Sequence, residues 1–214
     1  MKTINLLAGG PQSEWPADLQ QRLHRNPCIG IDRGNLHLLA MGITPVAAIG
    51  DFDSVSADEL ALIKDNVSIV HQSSPIKDET DTELALQFAG QHYPTAQLVL
   101  YGFSGGRLDQ LLTNLLMVYR PFLQDVITRL TLQDAHNWIQ FYQPGTNVVE
   151  KQPGMKYLDF VALEPTKLTL PDEKYQLDRF AVQRPTSFSS NEFLKDRGTF
   201  TFDRGILMVI QSHD

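Results

Sequence analysis

Carboxylates crowd three short segments of this chain: Gly50-Asp51-Phe52-Asp53-Ser54, Lys77-Asp78-Glu79-Thr80-Asp81 and Gly105-Gly106-Arg107-Leu108-Asp109. Each follows an apolar run and precedes a helical pattern, so all three can project from one edge of a sheet. Carboxylates gathered on one edge repel one another, and a hard divalent cation relieves that repulsion. A Gly-Gly-Arg turn beside them adds backbone amides and a guanidinium, the groups that hold phosphate. Metal-assisted phosphoryl chemistry is what these residue types together would serve.

The segments differ in how sharply they point there. Asp51 and Asp53 directly follow an apolar run, and in extended backbone residues two apart face the same way, so both carboxylates can reach one ion. Magnesium needs only a few protein oxygens and leaves its other positions to water and phosphate. The alternative, aspartates capping a helix, is weakened because Ser56-Ala57-Asp58-Glu59 already forms a capping box. In the second segment Thr80-Asp81-Thr82-Glu83 is itself a capping box, so Asp78 and Asp81 suit a helix start as readily as a site. Lys77 reads as a surface lysine or as a point charge for phosphate. In the third, the run from Tyr101 through Ser104 to Arg107 ends a strand and enters a helix. Gly105 and Gly106 let amides approach an anion there, and Arg107 can grip it with two donors. Asp109 would orient Arg107, hold a metal-bound water or favour the helix dipole. Gly9-Gly10 after the first strand and Asp32 after the second carry weaker versions of the same signal.

The elements that must position these residues follow from periodicity. Residues 4–8, 28–31, 46–49, 67–70 and 98–101 read as short buried strands. Helical periods at 17–25, 36–41, 57–64, 81–91 and 108–119 alternate with them. That alternation predicts an α/β domain, a mostly parallel sheet with helices on both faces, and ligands then bind at the carboxyl ends of the strands. In the last helix the apolar positions 108, 111, 112, 115, 116 and 118 predict a broad buried stripe. After about residue 130 helical periods give way to β-like runs at 127–132, 138–142, 148–150, 156–163, 168–170, 175–182, 199–202 and 206–210. Pro-Gly and Asp-Arg-Gly turns separate them, which predicts an all-β sandwich. The expected division is 1–130 and 131–214.

Composition narrows the function further. A net charge of −7 and the lack of a basic stripe argue against a nucleic-acid partner. The single cysteine, Cys28, excludes an internal disulfide and a cysteine zinc site, and reads as a buried residue in a reducing compartment. The six histidines have no metal-ligand spacing. No dinucleotide fingerprint, Walker A loop or Gly-x-Ser-x-Gly elbow is present. The apolar start is too short for a signal peptide, and no segment reaches the ~20 apolar residues that cross a bilayer, so the expected location is cytoplasmic, with no membrane partner.

One late segment, 185–193, is polar and lies between β runs, offering Ser and Asn groups to a small heterocycle. Taken in order, four segments resemble the thiamine pyrophosphokinase family over nearly the whole chain. They are Gly50–Ser54, Lys77–Asp81, Gly102–Gln110 with Asn114, and Ser190-Asn191-Glu192-Phe193. The resemblance implies an N-terminal α/β domain that binds ATP and catalyses, and a C-terminal β-sandwich that binds thiamine. It also implies a homodimer with thiamine held at the subunit interface. By position, Asp51, Asp53 and Asp81 would hold Mg²⁺, with Asp78 close by. Asp32, Ser104, Gly105, Gly106, Arg107 and Asp109 would line the nucleotide and phosphates, and Ser190 and Asn191 would face the aminopyrimidine. Many members read Asp-Gly-Gly-Ala-Asn-His where this chain has Asp32-Arg33-Gly34-Asn35-Leu36-His37. Leu36 stands at the asparagine position, and Arg33 is an added phosphate-binding candidate beside Lys77.

The implied reaction is transfer of the pyrophosphoryl group of ATP to the hydroxyl of thiamine, giving thiamine diphosphate and AMP. Two rivals remain. Asp51-Phe52-Asp53-Ser54-Val55 also fits the nucleophile motif of haloacid-dehalogenase-type phosphatases, although that motif normally follows a first strand and its late acidic partner is missing here. A non-catalytic thiamine or nucleotide sensor is the other, disfavoured by the intact Asp51, Asp53, Asp81 and Arg107.

Overall fold

The computed structural model describes residues 2–74, 76 and 78–214, so Lys77 lies outside the described residues. The chain forms two compact units, Met1–Ala135 and His136–Asp214.

Runs of small and branched apolar residues build the first unit around a parallel sheet. Its strands are β1 (Thr3–Leu7), β2 (Cys28–Ile31), β3 (Ala47–Gly50), β4 (Val70–Gln72), β5 (Gln97–Tyr101) and β6 (Leu130–Gln133). They lie in the order β6-β5-β1-β2-β3-β4, every neighbouring pair parallel. The helices are α1 (Leu19–Arg25), α2 (Gly34–Ala40), α3 (Ala57–Asn66), α4 (Asp81–His92) and α5 (Leu108–Leu116). β2 and β3 are buried along their whole length, which is why they read as unbroken apolar runs rather than alternating ones. Cys28 clusters with Leu19 and Leu23 of α1 and Leu38 of α2, and Ala48 clusters with Ile63 of α3. Ile49 points to the opposite face and shares a small cavity with Leu84 and Phe88 of α4. Helices therefore cover both faces of the sheet.

Both expected capping boxes are present. Ser56 and Glu59 exchange side-chain bonds with each other's backbone at the start of α3, and Thr80 and Glu83 do the same at α4. The division of the chain falls slightly later than residue 130. The run 127–132 enters a short 3₁₀ turn (Ile127–Arg129) and then β6, which pairs with β5 and so belongs to the first unit. The run 67–70 also splits, because Val67 caps the end of α3 and only Val70 begins β4.

The expected burial of the α5 stripe holds only in part: Val118 is buried and Leu111 and Leu115 are half-buried. Leu108, Leu112 and Leu116 are 67%, 49% and 47% exposed, and Asn114 is the buried residue of that helix. Periodicity tells which residues share a face, not what covers it. The buried apolar residues here are Met117 and Val118, in the 3₁₀ turn that follows.

Alternating burial builds the second unit. One antiparallel sheet runs β12 (Thr186–Phe188), β9 (Tyr157–Ala162), β14 (Leu207–Ser212), β7 (Asn137–Tyr142). The other runs β11 (Leu177–Val182), β10 (Thr166–Leu170), β13 (Arg197–Phe202), β8 (Gly145–Glu150). Every second residue of β9 and β13 is buried, and those residues pack face to face in the pattern of a sandwich. Phe200 sits at the centre, edge-on to Tyr142 at 5.0 Å and to Phe160 at 5.1 Å. β12 was invisible to pattern reading because its Thr-Ser-Phe sequence is polar, as an edge strand tolerates. Among the described residues, no helix is long and apolar enough to cross a membrane.

Candidate active site

The parallel sheet reverses its winding beside β1: the chain steps from β1 out to β4 in one direction, then returns to β5 and β6 on the other side. Ligand sites of open α/β sheets form at the carboxyl ends of the strands beside such a reversal. A cavity of about 590 Å³ occupies that position. Residues 8–11 after β1, Asp32 after β2, Asp51 and Asp53 after β3, 79–82 at the start of α4, and 102–107 after β5 line it, with Gln110 and Asn114 of α5.

The acidic wall is built by close backbone approach. A side chain at Gly50 would place its Cβ 2.0 Å from the Asp32 Oδ1, so only glycine leaves that carboxylate its place. Asp32 itself has a left-handed backbone (φ 46°), as does Phe52 (φ 59°), whose amide donates to Asp32 Oδ1 at 3.3 Å. Such conformations cost of order 1–3 kcal/mol each and persist where the surroundings fix them. One carboxylate oxygen from each of Asp32, Asp51 and Asp81 lies within 4.8 Å of the other two. Burial, aided by the Asp81 and Asp51 carboxylates and opposed by the Phe52 amide, pushes Asp32 up to about 7. Three hard oxygen donors at that spacing fit a small divalent cation.

Asp53 stands differently from the sequence expectation. β3 ends at Gly50 and Phe52 turns left-handed, so the two-residue alternation that would aim Asp51 and Asp53 together is broken. The Asp53 amide donates to Asp51 Oδ1 at 3.0 Å, and the Asp53 side chain lines the cavity without joining the three converging oxygens. In the second acidic segment Asp81 accepts from Ser73 Oγ at 3.2 Å, while Asp78 lies outside the lining.

The opposite wall is backbone-rich. Gly10 donates its amide to Gly102 O at 3.0 Å, and a Cβ at Gly10 would meet that oxygen at 2.4 Å. Ser104 is buried and gives its hydroxyl to Asp134 Oδ2 at 2.8 Å. Asn114 donates to Phe103 O at 2.9 Å, tying α5 to the loop. Arg107 and Asp109 form a two-point pair in solvent at 3.1 and 2.5 Å, which holds the Asp109 carboxyl below its usual range. Only Arg107 of the two lines the cavity. Arg33 does not line it either: it donates to Ser54 O at 2.8 Å and faces Glu59 at 3.8 Å, bracing the loop that carries Asp51 and Asp53.

In the second unit Ser190 is exposed and left-handed (φ 62°), its amide bonded to Asp159 Oδ1 at 2.6 Å. Asn191 is 2% exposed and turned inward. Its side chain accepts from the Tyr175 and Glu192 amides and donates to Tyr175 O, all within 2.8–2.9 Å. Glu173, fully buried nearby, is pushed up to about 7 by that burial.

Sequence reasoning missed Asp134 and Asp159, which carry no motif and act through partners about thirty residues away in the chain, Ser104 and Ser190. It also gave Asp32 only the weaker signal. The Asp32–Gly50 contact is between separate strands, and no local spacing announces it.

Known proteins share this architecture. The family model described as "Thiamin pyrophosphokinase, catalytic domain" matches residues 21–130, and "Thiamin pyrophosphokinase, vitamin B1 binding domain" matches residues 146–207. A thiamine pyrophosphokinase from Bacillus subtilis (strain 168) is 36% identical over 217 residues, covering both chains entirely. The solved structure of a thiamin pyrophosphokinase family protein from Enterococcus faecalis is 41% identical with a TM-score of 0.93 over all of both chains. A solved structure from Lactobacillus plantarum is 43% identical with a TM-score of 0.91, again over all of both chains. The chain belongs to the thiamine pyrophosphokinase family.

Proposed function

We propose that this enzyme transfers the pyrophosphoryl group of ATP to the hydroxyl of thiamine, releasing AMP and thiamine diphosphate. The observation that carries the reading is the convergence of Asp32, Asp51 and Asp81 opposite a Gly-rich turn with Arg107, inside a full-length family match. Those three carboxylates would hold Mg²⁺, and Asp53 extends the acidic wall beside them. Mg²⁺ bound there neutralises phosphate charge and polarises phosphoryl oxygens. The cavity, about 590 Å³, has room for a nucleotide. Amides of the loops after β1 and β5 approach its phosphates, and Arg107 leaves Asp109 to grip the transferred group.

The reaction needs positioning more than covalent help. The thiamine hydroxyl oxygen bonds to the β-phosphorus as the bridge oxygen between the α- and β-phosphorus departs with its electron pair on AMP. The hydroxyl proton passes to a carboxylate of the acidic wall. In the β-sandwich, exposed Ser190 offers the aminopyrimidine its groups, and Asn191 shapes the turn that presents them. Asp78 keeps an outer place on the acidic loop, and Arg33 acts on the loop from Asp51 to Ser54 rather than on phosphate.

The reading includes a homodimer in the cytoplasm. Leu108, Leu112 and Leu116, exposed along one side of α5, are the surface that favours a second copy, and light scattering after gel filtration tests it. The enzymatic test is incubation with thiamine, ATP and Mg²⁺, with products separated by chromatography. Equal AMP and thiamine diphosphate, abolished by EDTA, is the expected result. ADP with thiamine monophosphate would make the protein a simple kinase, and thiamine bound without product would make it a sensor.

A further inference from the structure

Arg120 sits in the turn after α5, far along the chain from the second acidic segment that it contacts, and carries no motif. Its backbone is fixed by an amide bond to Met117 O at 2.9 Å and by accepting the Leu123 amide at 3.0 Å. From there its Nε donates to Glu83 Oε1 at 2.8 Å, and its Nη2 donates to the Asp78 carbonyl at 3.0 Å. Glu83 is 1% exposed, and its second oxygen accepts the Thr80 amide at 2.8 Å. A buried carboxylate needs a partner of this kind, because an unpaired charge there is strongly disfavoured. Arg120 and Glu83 thus clamp residues 78–80 at two points, on either side of Glu79. Asp81, the next residue, begins α4 and contributes one of the three converging oxygens.

We infer that Arg120 is a positioning residue, which through Glu83 and the Asp78 carbonyl holds the Asp81 carboxylate in the cation site. The inference rests on the metal reading above. The geometry gives its reason: Asp32 and Asp51 directly follow strand ends and are set by the Gly50 contact, whereas Asp81 opens α4, nine residues beyond the end of β4. A ligand at a helix start depends on whatever fixes that start, and outer partners of metal ligands typically carry 10–100-fold in affinity. Arg is the side chain for the task because its planar fork bonds a carboxylate and a carbonyl at once, while a lysine offers one point charge.

The test uses the full chain and Mn²⁺ as a spectroscopically visible cation, titrated without nucleotide, alongside Mg²⁺ activation curves. Arg120→Gln is expected to weaken Mn²⁺ binding about tenfold and to raise the half-activating Mg²⁺ by a similar factor. The thiamine KM at saturating Mg²⁺ stays as in the wild type. Arg120→Lys falls between the two. The double variant Arg120→Gln/Glu83→Gln removes the stranded buried charge, so it recovers thermal stability while keeping the weakened Mn²⁺ affinity. A double variant with wild-type Mn²⁺ affinity would overturn the inference and leave Arg120 a purely structural ion pair. Should wild-type Mn²⁺ binding be absent or indifferent to Asp51→Asn, the metal reading itself falls and the inference with it, a result distinct from the first.

Discussion

The acidic end of the α/β unit and the Ser190–Asn191 turn of the β unit use the same device for different ends. In each, a non-glycine residue adopts a left-handed backbone beside a carboxylate: Asp32 and Phe52 in the first, Ser190 above Asp159 in the second. What surrounds the carboxylates differs. Around Asp32 stand two further carboxylates, and one weak amide bond is the counterweight. Asn191 closes three hydrogen bonds on the backbone of Tyr175 and Glu192, and Asp159 meets the Ser190 amide directly. Strain with unmet charge makes a place that a cation completes, whereas strain with satisfied polar groups makes a rigid shape that presents a neighbour. Catalytic loss should follow from changes in the first region, and stability loss from changes in the second.

The largest expected effect is at Asp51. Asp51→Asn should lower kcat about 10³-fold, the scale of removing a central electrostatic contact. It should leave the melting temperature unchanged or higher, since it relieves like-charge crowding around Asp32. Steady-state kinetics with calorimetry check both parts. A variant that loses stability along with activity would mean that the acidic wall is a packing feature, and the contrast between the regions would break.

Glu173 is the exception inside the satisfied region, and it sharpens the comparison. It is fully buried, one oxygen accepts the Asp172 amide at 3.1 Å, and the other has no hydrogen-bond partner among the described residues. Burial raises it from 4.5 to about 7, so the folded state keeps a proton that the unfolded chain releases. With the folded pKa raised, this group's contribution to stability is fully present below about 4.5 and is lost as pH rises through about 7. The decline attributable to this one group is about 3 kcal/mol. Glu173→Gln should flatten that slope and raise stability at pH 8 relative to the wild type. Denaturant melts across the range decide it: parallel curves for the two proteins would refute the neutral, buried carboxyl.

Asn191→Ala comes next. It strands the Tyr175 amide and carbonyl and the Glu192 amide, and should cost about 2 kcal/mol of stability. At saturating thiamine kcat should hold within about twofold while the thiamine KM rises, because the turn loses shape and the acidic wall does not. A fall in kcat with unchanged KM would place Asn191 among the groups that act on the transition state instead.

These contrasts also mark what could be read from the sequence. Element types and order were legible because β2 and β3 are unbroken apolar runs and β9 and β13 alternate, each pattern following from burial on two faces or one. The Gly-rich turn, Arg107 and Asp51 were legible because their chemistry is local. Asn191 was legible as a polar residue between β runs but not as an inward one, since direction depends on the Tyr175 backbone sixteen residues away. The exposed side of α5 had the pattern of a buried stripe, and only the packed unit reveals that nothing among its own described residues covers Leu108. Asp32 needed the strand register that brings it against Gly50.

Asp53 gives the smallest expected effect and the finest test. Extended backbone would aim Asp51 and Asp53 at one ion and make their removal equivalent. The left-handed turn at Phe52 instead sends the Asp53 amide to Asp51 and leaves Asp32 as the third converging carboxylate. Asp53→Asn should therefore cost only about tenfold in kcat/KM, through weakened charge on the cavity wall, which corresponds to about 1.4 kcal/mol. Its amide bond to Asp51 survives the substitution, so the first carboxylate stays in place. Measured side by side under identical Mg²⁺, a loss at Asp53 as deep as that at Asp51 would show that substrate binding draws both aspartates onto the ion and that the strand-like pairing is the working one. A shallow loss would assign that place to Asp32, whose carboxylate occupies space that only a glycine at position 50 leaves open.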